Sequence, residues 1–119
     1  MIGLAAAGAL SAAIAIGFSA FGAHAAANAQ AAEWLRTGGT YQLIHAVAVV
    51  ALMINPGSQG TGSGPAGMLL AGSALFAATL YAMAFGAPRW FGAITPIGGV
   101  LMIAGWLWLA WRLAGARAG

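Results

Sequence analysis

The sequence predicts an all-α membrane protein, a four-helix transmembrane bundle with a short interfacial segment after helix one. Four apolar stretches fill almost all of the 119 residues. The five formally charged side chains, Glu33, Arg36, Arg89, Arg112 and Arg117, fall between or after those stretches and never inside one. With 62% hydrophobic residues, 4% charged and a mean hydropathy of +0.92, the chain would expose more apolar surface in water than a soluble monomer tolerates. Lipid tails match that surface. A single transmembrane domain over residues 1–119 is the natural reading of this length.

Helix one is expected over about residues 2–26, long enough at ~1.5 Å per residue to cross a ~30 Å hydrocarbon core. Gly3, Ala7, Ser11, Ala15, Ser19 and Ala23 recur every four residues, and so do Ala5, Ala9, Ala13 and Gly17. Two adjacent rows of small residues let another backbone approach closely, although a genome rich in G and C would favour Ala and Gly as well. The run ends in Ala23-His24-Ala25, which imitates a signal cleavage site. With no Lys or Arg ahead of the apolar run, it reads as a retained helix.

Residues 28–39 are more polar and hold Glu33, Trp34 and Arg36, which suits a short helix at the membrane surface. Gly38-Gly39 is expected to break or bend the chain there. Helix two, 40–54, is short for a crossing, so it extends back through the glycine pair or leans on its neighbours. Residues 55–65 read as a flexible loop by composition. Helix three follows over 66–85, with Ala74, Ala78, Ala82 and Gly86 as another four-residue row of small side chains. Helix four is expected over about 96–113. Thr95 would cap it with Pro96 as first residue, where the missing N–H costs nothing; a single helix from Trp90, kinked at Pro96, is the alternative.

The tryptophans fit four crossings. Trp34 and Trp90 lie in the first and third connections, on one membrane side, and Trp106, Trp108 and Trp111 at the far end of helix four. That is the two-belt distribution of interfacial aromatics. Arg36 and Arg89 on one side tie with Arg112 and Arg117 on the other; two arginines in one short tail favour cytoplasmic termini.

Composition also excludes chemistry. There is no cysteine, hence no disulfide or thiolate site. The pI near 10.8 comes from arginines scattered singly, which form no patch for nucleic acid. Ser11, Ser19 and Ser73 sit in apolar stretches without an adjacent acid, so no catalytic residue is assigned. The polar groups near membrane depth are His24, Tyr41, Gln42, His45, Thr79, Tyr81 and Thr95, and ionisable groups there invite a functional reading. His24 and His45 are expected at similar shallow depth near one interface. Tyr41, Gln42 and His45, spaced i, i+4 and i, i+3, would share a helix face. Neutral imidazoles bonded to backbone carbonyls, or to Gln42 and Tyr41, form the plainer reading. A proton, haem or metal role competes with it, but zinc would find at most His24, His45 and Glu33 as ligands, so no metal site is assigned.

Several of these residues also form a recognisable pattern. Ser19-Ala20-Phe21-Gly22-Ala23-His24-Ala25, then Tyr41-Gln42 with His45-Ala46, then Ile94-Thr95-Pro96-Ile97-Gly98-Gly99 with Gly105-Trp106, occur in order. Together they resemble the small bacterial membrane proteins called domain of unknown function 423, a family related to the eukaryotic transmembrane protein 256. Gly72-Ser73-Ala74-Leu75 with Tyr81 is similar to the same pattern. The resemblance implies four helices, a multi-pass place in the bacterial inner membrane, and a shared constellation of Phe21, Gly22, His24, Tyr41, Gln42, His45, Thr95, Pro96 and Gly98. The chain departs from the family in its glycine-serine stretch at 57–64 and its few charges in the first loop.

The function expected from these residues is non-enzymatic: an accessory or assembly subunit of a larger membrane complex, or a homo-oligomer. It would pack through Gly3, Ala7, Ser11, Ala15, Ser19, Ala74, Ala78 and Ala82, with the lipid bilayer and a membrane protein or a second copy as partners. A small transporter or channel for an ion or solute, lined by His24, Tyr41, Gln42 and His45, is the alternative. A haem- or quinone-associated redox subunit through His24 and His45 is the third reading; no cofactor is expected otherwise.

Overall fold

At membrane depth no water is available to backbone N–H and C=O groups, so a crossing segment stays helical even where its composition would break a helix in water. The computed structural model describes residues 3–57 and 59–118, and the side chains among them except at Gln59 and at 116–118. Met1, Ile2 and the Arg117 side chain, at the expected start of helix one and in the tail, lie outside the described residues. Four long helices form: α1 (Leu4–Ala25), α2 (Ala29–Ile54), α3 (Gln59–Ala84) and α4 (Thr95–Ala118). A 3₁₀ turn, Arg89–Ala93, precedes α4. Each crossing is long and apolar enough to span a membrane, and there is no strand among the described residues. The molecule measures 52 × 25 × 24 Å, so its long axis exceeds the ~30 Å hydrocarbon layer.

Consecutive helices run antiparallel, and glycines set their closest approaches. A Cβ at Gly8 would meet Val49 and Val50 at 3.0 Å, and one at Gly22 would meet Leu35 at 2.8 Å. Between α3 and α4, a Cβ at Gly105 would meet Leu69 at 2.8 Å. One at Gly98 would meet the Phe76 backbone nitrogen at 2.6 Å and the Gly72 carbonyl at 2.7 Å. Here the two backbones touch, which requires small residues at the crossing. The core has two parts, Leu35, Ala77 and Tyr81 at one end, and Val49, Ala66 and Leu69 at the other. Helices α2 and α3 form the centre; α1 packs along α2 and α4 along α3.

The structure redraws several expected boundaries. Residues 29–39 are not a separate surface segment but the first part of α2, which passes through Gly38-Gly39 unbroken. The glycine pair serves packing instead. A Cβ at Gly38 would meet the Tyr81 ring at 2.8 Å, and one at Gly39 would collide with the Ser19 hydroxyl. Much of the expected loop 55–65 is likewise helix, α3 starting at Gln59 and carrying Pro65 inside it. Gly64 lies under the Trp108 ring, which a Cβ at that position would meet at 2.5 Å, and Pro65 is fully buried. Tertiary contact there outweighs the low helix propensity of Gly and Pro. Helix four follows a distinct turn rather than a kink. It begins at Thr95 after the 3₁₀ turn, and the Thr95 hydroxyl meets the Thr79 hydroxyl on α3 and donates to the Phe91 carbonyl at 3.4 Å.

The small-residue rows divide. On α1, Ser11 and Ala15 are buried against α2, Ala7 and Ser19 are half-buried, and Gly3 is exposed with open space around it. The row Ala74, Ala78 and Ala82 lies largely outside the packing within the chain: the first two are exposed and Ala82 is half-buried. The packing faces of α3 are built from Gly72, Ser73, Ala77 and Tyr81 instead. In a helix this rich in small residues, a four-residue spacing recurs on several faces, so period alone does not select one.

Candidate functional site

The polar side chains at membrane depth fall into three groups. Gln42 is buried at the centre of α2. Its amide donates to the Ser11 hydroxyl on α1 at 3.0 Å, and its carbonyl accepts from the Tyr81 hydroxyl on α3 at 2.6 Å. One side chain thus ties three helices. The Tyr81 ring is held by stacking on Phe18, centroids 4.1 Å apart, and by lying over Gly38.

His45 faces another way. Its Nε2 accepts from the Trp106 indole N–H on α4 at 3.0 Å, and its Nδ1 lies 2.6 Å from the Tyr41 carbonyl. The indole can only donate, and a carbonyl can only accept. The ring must therefore carry its proton on Nδ1 and a lone pair on Nε2, a neutral tautomer fixed from both sides. Trp106 accordingly leaves the expected interfacial belt. It lies eleven positions beyond Thr95, ~16 Å into the crossing. Trp108, two positions on, lies against Gly64 and has the Arg112 guanidinium 5.7 Å from its ring.

The third group joins α3 to α4. The hydroxyls of Thr79 and Thr95 are 2.6 Å apart, and Thr79 also reaches the Phe76 carbonyl at 2.9 Å.

The structure therefore does not gather His24, Tyr41, Gln42, His45 and Thr95 into one cluster. Gln42 and His45 point to different neighbours, and Thr95 pairs with Thr79. Tyr41 turns its ring outward, 45% exposed, against Phe76 at 5.0 Å. His24 is exposed near the end of α1. Gly22 adjoins Leu35, and His45 is ten positions further along α2, ~15 Å away along the axis. The expected common depth of the two histidines is not observed, and they do not form an axial pair. Among the described residues no group of three or more His, Cys, Asp or Glu stands together.

Two crevices flank the polar groups. One of about 420 Å³ is lined by Tyr41, His45, Phe76, Met102 and Trp106, where α2 and α4 stand apart across α3. Another of about 390 Å³ lies between α1 and α3, with Gln42 at its floor and Ala74 and Ala78 on its wall. Sequence reasoning missed the His45–Trp106 bond, since 61 positions separate the partners. It also missed the contact of Arg89 with Trp34, 5.7 Å from the ring, at the end where it expected the first and third connections together. That contact brings the first and third connections together at one end, as the tryptophan positions led one to expect. The single salt bridge among the described residues, Glu33 to Arg36 at 2.6 Å, is exposed there too.

The chain is similar to a UPF0382 membrane protein of Staphylococcus saprophyticus, 42% identical, with 86% of this chain and 88% of that protein covered. A UPF0382 membrane protein of Haemophilus influenzae is 36% identical, covering 87% and 86%. A UPF0382 inner membrane protein of Escherichia coli is 34% identical, covering 82% and 79%. No solved structure gives a significant match. The family described as "Protein of unknown function (DUF423)" matches residues 18–99, from the last two turns of α1 through α2 and α3 to the α3–α4 crossing at Gly98. With its four apolar crossings and these relatives, the chain belongs to the DUF423 family of membrane proteins.

Proposed function

We propose that the protein is a non-enzymatic association subunit of the bacterial inner membrane, which binds a further transmembrane helix through the outer face of α1. The observation that carries this reading is that α1 has small residues on opposite sides and uses one side within the chain. Gly8, Ser11, Ala15 and Gly22 are buried against the bundle, while Ala6, Ala9, Ala13 and Ala20 are exposed on the far side. Lipid tails are as apolar as large side chains and give no reason for a smooth face; a second helix approaching closely does. The internal polar groups support the same reading, because Gln42, His45, Tyr81 and Thr95 are engaged with one another or with Ser11, Trp106 and Thr79. They hold helices together rather than line a path.

A photo-crosslinking residue placed at Ala13 tests this in native membranes. A discrete protein adduct is expected there and none from the same group at Val100, on the exposed face of α4. Absence of a protein adduct from position 13 would sink the proposal, and solute flux through liposomes holding this chain alone would favour transport instead.

A further inference from the structure

The structure leaves a groove whose chemistry changes along its length. At the end where the α1–α2 and α3–α4 connections meet lies a cavity of about 560 Å³, with Asn28, Gln30, Trp34 and Arg89 at its polar side and Met83 and Phe85 below. Phe85 is shared with a second, apolar crevice of about 320 Å³ between α1 and α3, lined also by Ile14, Phe18 and Phe21. Ile14 and Phe18 are shared in turn with the crevice walled by Ala74 and Ala78. The cleft exists because α1 packs along α2 and approaches α3 at few points. From Phe85 to Ala74 is eleven positions on α3, ~16 Å, about half of a ~30 Å hydrocarbon layer. Its depth is therefore that of one leaflet.

We propose that this groove is a binding site for one anionic phospholipid, with its phosphate at Arg89 and an acyl chain lying past Phe85, Phe18 and Ile14 onto Ala78 and Ala74. The charge at the head end is unbalanced. The chain has one acidic side chain, Glu33, and Arg36 engages both of its oxygens at 2.6 and 2.7 Å. No side-chain carboxylate remains for Arg89. Its guanidinium stacks over Trp34, which positions it while leaving edge N–H donors for phosphate oxygens. Asn28 gives its side-chain oxygen to the Ala31 N–H at 2.8 Å, so its NH₂ group is a further donor at the rim. The first turn of α2 adds the positive end of its dipole. Basic pockets between crossings recognise lipid head groups in this way. The exposed small residues of α3 also acquire a purpose, because Ala74 and Ala78 keep the groove open where larger side chains would fill it.

The test uses the full chain, delipidated in mild detergent, with bound lipid read by native mass spectrometry. Phosphatidylglycerol is expected to bind saturably as a single molecule, about tenfold more tightly than phosphatidylcholine, whose own trimethylammonium group offsets the phosphate charge and is repelled by Arg89. Arg89→Gln should weaken phosphatidylglycerol most and erase the difference between the two lipids. Ala78→Leu should weaken both lipids by blocking the chain, and Arg36→Gln should change neither. All three side chains are exposed, and helicity and melting are followed alongside. Equal affinity for the two lipids, undiminished binding by Arg89→Gln, or undiminished binding by Ala78→Leu would each overturn the proposal. So would competition by free glycerol phosphate as effective as the lipid's own, which would mark a soluble-anion site.

Discussion

The Tyr81 hydroxyl donates to the Gln42 side-chain carbonyl at 2.6 Å, linking α3 to α2 at the middle of the bundle. Gln42 at the same time holds Ser11 on α1. Interhelical hydrogen bonds in membranes contribute modestly, about 0.6 kcal/mol on average and up to about 1.7. Tyr81→Phe should therefore lower stability to detergent denaturation by an amount in that range. Gln42→Leu should lower it further, since it strands hydroxyls on two neighbouring helices. The double variant should fall short of the summed losses, because the residues share one bond. Simple additivity would show that the bond is not formed.

The paired glycines of α4 give a sharper contrast. A Cβ at Gly98 would press on the backbone of Phe76 and Gly72, which cannot yield as a side chain does; Gly99 has nothing within 4 Å. Gly98→Ala should destabilise the protein by about 1–3 kcal/mol through overpacking, and Gly99→Ala should stay within about 0.5 kcal/mol of the parent. Thermal melting of the two variants side by side decides this. Equal effects would mean that α3 and α4 do not cross there.

His45 should carry a single proton, on Nδ1, in the folded protein. Nitrogen NMR of labelled histidine distinguishes the ring nitrogens, and Trp106→Phe should alter the Nε2 signal by removing its donor. His24→Ala, at an exposed position, should leave stability within about 0.5 kcal/mol of the parent. A proton on Nε2 in the parent would contradict the Trp106 bond.

Four crossings were legible in the sequence because hydropathy and the placement of Glu33 and the arginines report the solvent directly. The internal ends of the helices were not. Gly38-Gly39 and the run from Gly60 to Pro65 read as breaks by propensities that reflect competition with water, and the bilayer removes that competitor. The glycines instead answer to Tyr81, Ser19 and Trp108, which are remote in the chain. The polar residues at membrane depth were easy to name, since any polar group in so apolar a chain stands out. Their grouping was not, because Gln42 to Tyr81 and His45 to Trp106 span 39 and 61 positions and leave no local period. The outer row of α1 was visible as a four-residue spacing, but which row the bundle uses depended on the rotation of α1 against α2.

The association role rests most directly on the mass of the intact particle extracted from its own membranes in mild detergent. A particle clearly larger than the 11.8 kDa chain with its bound detergent is expected, and Ala13→Trp should reduce it to the single chain while helicity persists. A monomer from native membranes, or a larger particle unchanged by Ala13→Trp, would contradict association through the outer face of α1.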